Sequence, residues 1–189
     1  LGNVAARGAV PYVQISVRDL PGLVEGRYDR QLGRMLGAFE RYLDADPSHR
    51  MIIDILPGSN RQQIAYGDDP TRFKSAFRKI ATRVRDTLGP DRVKVAYSNH
   101  REISSARFAR HERPAGAPDL YFPGSDVVDL AGVRGTALSG ATSPGSYFGP
   151  ALDALAAAAG SDMPLLISQT AAPRNSDPLR YLQALADYA

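Results

Sequence analysis

Four short apolar runs in this chain end in side chains that can hydrogen-bond a ligand. Ser59 and Asn60 follow "MIIDIL", Asn99 and His100 follow "VKVAYS", Arg134 follows "VVDLAGV", and Gln169 and Thr170 follow "PLLIS". These amides, hydroxyls, imidazole and guanidinium donate and accept hydrogen bonds, but none is a carboxylate. Three acids are close enough in sequence to matter. Asp54 lies inside its run, where it either points inward or pairs with an arginine. Glu102 lies just beyond Asn99-His100 and could reach a ligand at that edge. Asp129 reads as a packing or turn residue.

The three histidines divide in the same way. His49 sits in a turn and is expected to face solvent, His111 lies in a charged loop, and His100 stands at a ligand edge. No histidine pair has helical i, i+4 spacing and the chain contains no cysteine, so no metal site is expected. The missing cysteines also exclude disulfides and thiol nucleophiles. There is no G-x-S-x-G nucleophile elbow and no glycine-rich phosphate loop after any apolar run. No cofactor is expected.

The elements that must position these residues alternate. "PYVQISV" (11–17), "MIIDIL" (51–56), "VKVAYS" (93–98), "VVDLAGV" (127–133) and "PLLISQT" (164–170) read as strands. Between them, Leu32, Met35, Leu36, Phe39 and Leu43 make one helical stripe, and Phe73, Ala76, Phe77, Ile80, Ala81, Val84 and Leu88 make another. Asp69-Pro70 opens the second helix and Gly89-Pro90 closes it. Residues 147–159 are alanine-rich, and "DPLRYLQALADYA" begins like a further helix. Mostly apolar strands separated by helices indicate an α/β protein with a parallel sheet covered on its outer side. Ligand sites in such folds lie where the strands end. A doubly wound sheet and an incomplete (β/α)8 barrel both satisfy this pattern.

At 189 residues, with no repeat or linker, the chain reads as one domain spanning 1–189. Its 43% hydrophobic and 23% charged residues and formal net charge of +3 are ordinary for a globular protein. The arginines are scattered, and the dense segment 101–113 also carries two glutamates, so no nucleic-acid groove is expected. No apolar run is long enough to span a membrane. No signal peptide is recognisable. The chain opens on Leu1 and not on methionine, so it is expected to be part of a larger chain.

Four stretches carry a resemblance, two of them the strands "VKVAYSNH" (93–100) and "MPLLISQT" (163–170). "DLYFPGSDVVDLAGVRG" (119–135) keeps an aromatic-Pro-Gly turn (Phe122-Pro123-Gly124), Asp126, Val128-Asp129 and Gly132 in frame. "PGSNRQQIAYGDDPTRFKSAFRKIATRVRD" (57–86) places Asn60 and the pair Tyr66-Gly67 before a helix holding Phe73, Phe77 and Arg78. Together they resemble glycoside hydrolase family 26, the mannanase-type retaining (β/α)8 barrels. The resemblance implies a TIM-type barrel of which this chain covers strands three to seven. It also implies a β-linked glycan as ligand and, by kinship alone, a secreted or extracellular setting.

The family's chemistry does not carry over. A retaining glycosidase needs two carboxyl groups roughly 5–5.5 Å apart, one as nucleophile and one as acid/base. The family's acid/base glutamate falls on Gly58 and its nucleophile glutamate on Gln169. Its supporting tyrosine falls on Thr136, a nearby aspartate on Arg134, and two tryptophans on Gln63 and Leu130. The expected function is therefore a glycan-binding barrel without hydrolysis, with Asn60, Tyr66, Asn99, His100, Arg134, Thr136 and Gln169 as binding residues. An active endo-β-glycosidase using a displaced acid such as Glu102, and a barrel kept for protein contacts alone, are the two rivals.

Overall fold

The computed structural model describes residues 4, 7–59, 69–100, 118–136, 143–171 and 177–188. Five strands carry the architecture: β1 (Tyr12–Ile15), β2 (Met51–Ile55), β3 (Val93–His100), β4 (Leu130–Thr136) and β5 (Leu165–Ala171). They lie side by side in chain order and every pairing is parallel. Helices α1 (Leu20–Val24), α2 (Asp29–Asp44), α3 (Pro70–Leu88), α4 (Pro118–Tyr121) and α5 (Pro144–Ala159) lie in the crossovers, and α6 (Pro178–Tyr188) follows β5. The result is a curled half-barrel, an incomplete (β/α) TIM-type fold.

Local chemistry sets the helix ends. Asp69 accepts the Arg72 N–H at 2.9 Å, Pro70 occupies the first turn, and Gly89 ends α3 at φ +76°. Asp19 and Ser143 cap α1 and α5 in the same way. Helix α1 is an addition to the sequence reading, since "DLPGLV" has turn composition and too few residues to show a stripe. The fourth strand also starts later than expected, at Leu130. Val127 and Val128 are buried in the approach to the strand. Asp129 is a turn residue there, and its carboxylate accepts the Val95 N–H at 2.7 Å and Arg85 at 3.1 Å.

The core lies between the sheet and the helices. Phe73 and Phe77 of α3 meet Tyr97 of β3 with ring centroids 6.1 and 6.0 Å apart, and Tyr121 closes on Phe73 at 5.5 Å. All four rings are fully buried. Odd-numbered residues of β2 and β3, such as Ile53, Ile55, Val95 and Tyr97, pack on this side. With a period of two, the even-numbered residues face the concave side. His49, expected to face solvent, is instead half-buried, its ring stacked on Tyr42 at 4.3 Å with Nδ1 2.6 Å from the Tyr42 carbonyl oxygen.

Candidate functional site

The register arranges the concave face in rows. Tyr12, Ile52 and Lys94 form the lowest, and Gln14, Asp54, Ala96 and Leu130 the next. Ser98, Gly132 and Leu166 lie above them, and His100, Arg134 and Gln169 form the top row at the carboxyl ends of the strands. A bulge between β4 and β5 makes this top row possible. The register shifts at Val133/Arg134, so Gln169 and not Ser168 stands opposite Arg134. Bulges re-aim side chains in this way.

Arg134 donates from its guanidinium to the side-chain oxygen of Gln169. Both residues line a small cavity of about 130 Å³ with His100, Gly135 and Thr136. Gly58 faces the same place: a Cβ there would lie 3.6 Å from the Cδ of Arg134 and 3.9 Å from the Cβ of His100. Its backbone sits at φ +77°, where glycine is at ease and an L side chain is strained. Leu56, two residues earlier, is held at φ +51° while fully buried. The chain thus leaves β2 through a strained turn, pinned by the Gly58 N–H donating to the Ser98 carbonyl at 2.7 Å.

Below the mouth lies a buried carboxylate. The Oδ2 of Asp54 accepts from Ser98 Oγ at 2.7 Å, Tyr12 Oη at 2.9 Å and Gln14 Nε2 at 3.2 Å. Its Oδ1 is buried with no hydrogen-bond partner among the described residues. Burial raises the pKa of Asp54 above the ordinary aspartate value, and bonds from Ser98 and Tyr12, the charge of Arg134 and the Gln14 amide offset this only in part. Burial and the neighbouring Asp54 likewise push the Tyr12 phenol upward. The two alternatives for Asp54 are thereby decided: it points into the concave face, and no arginine lies within ion-pair distance among the described residues.

The structure brings Gly58, His100, Arg134, Thr136 and Gln169 together at one edge. It does not bring Asn99 with them. Asn99 follows the inward-facing Ser98, so its side chain turns to the helix layer, where Oδ1 accepts from Ser59 Oγ at 2.8 Å and from the Tyr97 hydroxyl. Thr170 is turned away too, toward the Tyr181 hydroxyl at 2.8 Å. Asn60, Tyr66 and Glu102 lie outside the described residues. The Asp54 cluster is the feature that sequence reasoning left undeveloped. Its signal was an acid at a concave-face position of an apolar strand, but the partners Tyr12, Gln14 and Ser98 come from other strands. Among the described residues there is no group of three or more metal-ligating side chains and no helix long and apolar enough to cross a membrane.

No protein-family profile and no characterised protein matches the sequence itself. Solved structures do match the fold. GH26A of a Muricauda species superposes with a TM-score of 0.71 at 10% identity, over 98% of this chain and 72% of that one. A Bacillus subtilis mannanase gives 0.68 at 16% identity, over 98% of this chain and 59% of its own. A modular endo-β-1,4-mannanase from Cellulomonas fimi gives 0.69 at 14%, over 97% and 46%. This chain therefore spans between about half and three quarters of the length of these neighbours. Its fold is that of a family 26 β-mannanase barrel, represented in part.

Proposed function

We propose that this half-barrel binds a β-linked glycan at the carboxyl ends of its strands and does not hydrolyse it. One observation carries the reading. Where the family it resembles has its two glutamates, this chain has Gly58, beside His100 and Arg134, and Gln169, which lines the cavity with them. A glycine offers no proton to a leaving oxygen, and an amide is a poor nucleophile. The mouth keeps groups suited to hydroxyl recognition, namely His100, Thr136, Gln169 and Arg134. The mannanase-like fold supports carbohydrate as the ligand class.

Calorimetry with β-1,4-linked manno-oligosaccharides, together with a sensitive assay for released reducing ends, tests this reading. Binding without turnover is the expected outcome. A positioned general acid typically contributes about 10²–10⁴-fold, and the nucleophile is absent as well, so Gln169→Glu alone should not restore turnover. Hydrolysis by the unmutated protein, abolished by Glu102→Gln, would establish the active endo-β-glycosidase instead. Neither binding nor turnover would leave a barrel that serves protein contacts.

A further inference from the structure

We infer that the cavity at the strand ends is an anion site, which receives the carboxylate of an acidic sugar in the bound glycan. The inference rests on the glycan-binding reading and specifies its ligand. At the mouth, the residue types have reversed the charge that the resemblance implies. Two glutamate positions are now Gly58 and Gln169, and an aspartate position is now Arg134. The described residues around the cavity, His100, Arg134, Gly135, Thr136 and Gln169, include no carboxylate.

Arg134 is built for this role. It is half-buried in the top row, and the neutral Gln169 amide opposite orients its guanidinium without neutralising it. A guanidinium offers five N–H donors in a planar fork that matches a carboxylate, and the Gln169 contact uses one of them. Had residue 169 been a glutamate, the pair would be an ion pair and the mouth electrically quiet. The one described acid on the concave face near Arg134 is Asp54, two rows below. Burial favours its neutral form and weakens it as a competing counter-ion.

Size decides how much of the ligand enters. About 130 Å³ holds roughly four waters at about 30 Å³ each. That is room for a carboxylate and a bridging water, and the cavity is open to solvent, so the rest of the sugar can extend from it.

The test compares two ligands of equal length and linkage, a β-1,4-linked mannuronate oligosaccharide and its neutral β-1,4-linked mannose counterpart, by calorimetry on the full-length protein. The acidic ligand is expected to bind at least about tenfold tighter, with an advantage that shrinks as salt rises. Arg134→Gln should bring the two affinities together, and Arg134→Lys should retain part of the difference. Gln169→Glu should also erase the preference, by pairing Arg134 internally. Thermal melts of each variant separate lost binding from lost folding.

Equal affinities in the unmutated protein, or a preference untouched by Arg134→Gln, would overturn the anion site while leaving glycan binding intact. Inorganic phosphate competing as strongly as the acidic sugar would show a simple anion site and overturn the sugar assignment. Failure of both oligosaccharides to bind would remove this inference together with the glycan reading beneath it.

Discussion

Asp54 shows how burial and hydrogen bonding compete over a single proton. Three donors converge on Oδ2, which favours the charged form, yet burial outweighs them and the pKa is raised. The sign of the pH dependence follows. A carboxyl whose folded pKa exceeds its unfolded value binds its proton more tightly when folded, so its contribution is full below the unfolded value of about 3.9. That contribution is lost as pH rises through the folded value. Asp19, Asp46 and Asp126 are shifted downward by their hydrogen bonds and contribute in the opposite sense. The informative quantity is therefore a difference between proteins. Relative to Asp54→Asn, the unmutated protein should lose melting temperature as pH is raised from about 4, and parallel pH profiles would show that burial does not dominate.

A second residue-scale test concerns Gly58. Its φ of +77° makes any L side chain strained, by roughly 1–2 kcal/mol. Gly58→Glu would place a carboxylate beside Arg134, since the Cβ already points there with no atom closer than 3.6 Å. Stability should fall by about 1–2 kcal/mol in urea melts even though the new side chain finds an arginine, because a partly exposed pair returns less than about 1 kcal/mol. A variant as stable as the parent would mean that the turn is not strained. The double change Gly58→Glu with Gln169→Glu should give at most weak mannanase activity, because Thr136 and Leu130 stand where the resemblance implies aromatic supports.

At the scale of elements, the clamp between α3 and the start of β4 is the contact to probe. Asp129 holds the Val95 backbone N–H and Arg85 together, fixing where β4 begins against β3. Asp129→Ala should cost about 1.5–3 kcal/mol, the range for bonds to a charged group. Arg85→Ala should cost less, because the bond to Val95 survives. Arg85 also donates to the Asp126 carbonyl, so equal losses in urea melts would show that the Val95 bond is worth no more than that contact. Phe77→Ala, which removes a fully buried ring from the α3–β3 seam, should cost about 3–5 kcal/mol.

These same elements show what sequence can reveal. The stripe Phe73, Phe77, Ile80, Val84, with Asp69-Pro70 before it and Gly89 after it, fixes α3 to the residue because period and caps agree. The strand alternation also placed Arg134 and Gln169 at one edge. The face chosen by Asn99 was not readable, since a polar residue at a strand end looks the same whether it turns inward or toward the helices. The β4–β5 bulge was equally invisible. It is a property of pairing, and it alone decides that Gln169 meets Arg134.

Across the whole molecule, the sheet is open. Strand β1 pairs only with β2 and β5 only with β4, so two edges carry backbone groups without a neighbouring strand among the described residues. The β5 side is also apolar. Leu165, Leu179, Leu182 and Tyr188 are all exposed, with Leu179 at 77%, and a groove of about 580 Å³ runs between β5, α5 and α6. An unpaired edge beside an uncovered apolar surface favours association with other chains. The 189-residue chain expressed by itself should therefore associate as concentration rises, seen as a growing mass by light scattering. Leu179→Lys with Leu182→Lys should shift it toward monomer with little effect on thermal stability, because both side chains are largely in solvent. A chain that stays monomeric and melts cooperatively at every accessible concentration would mean that these edges are protected within the chain itself, and the open half-barrel would then be a complete folding unit.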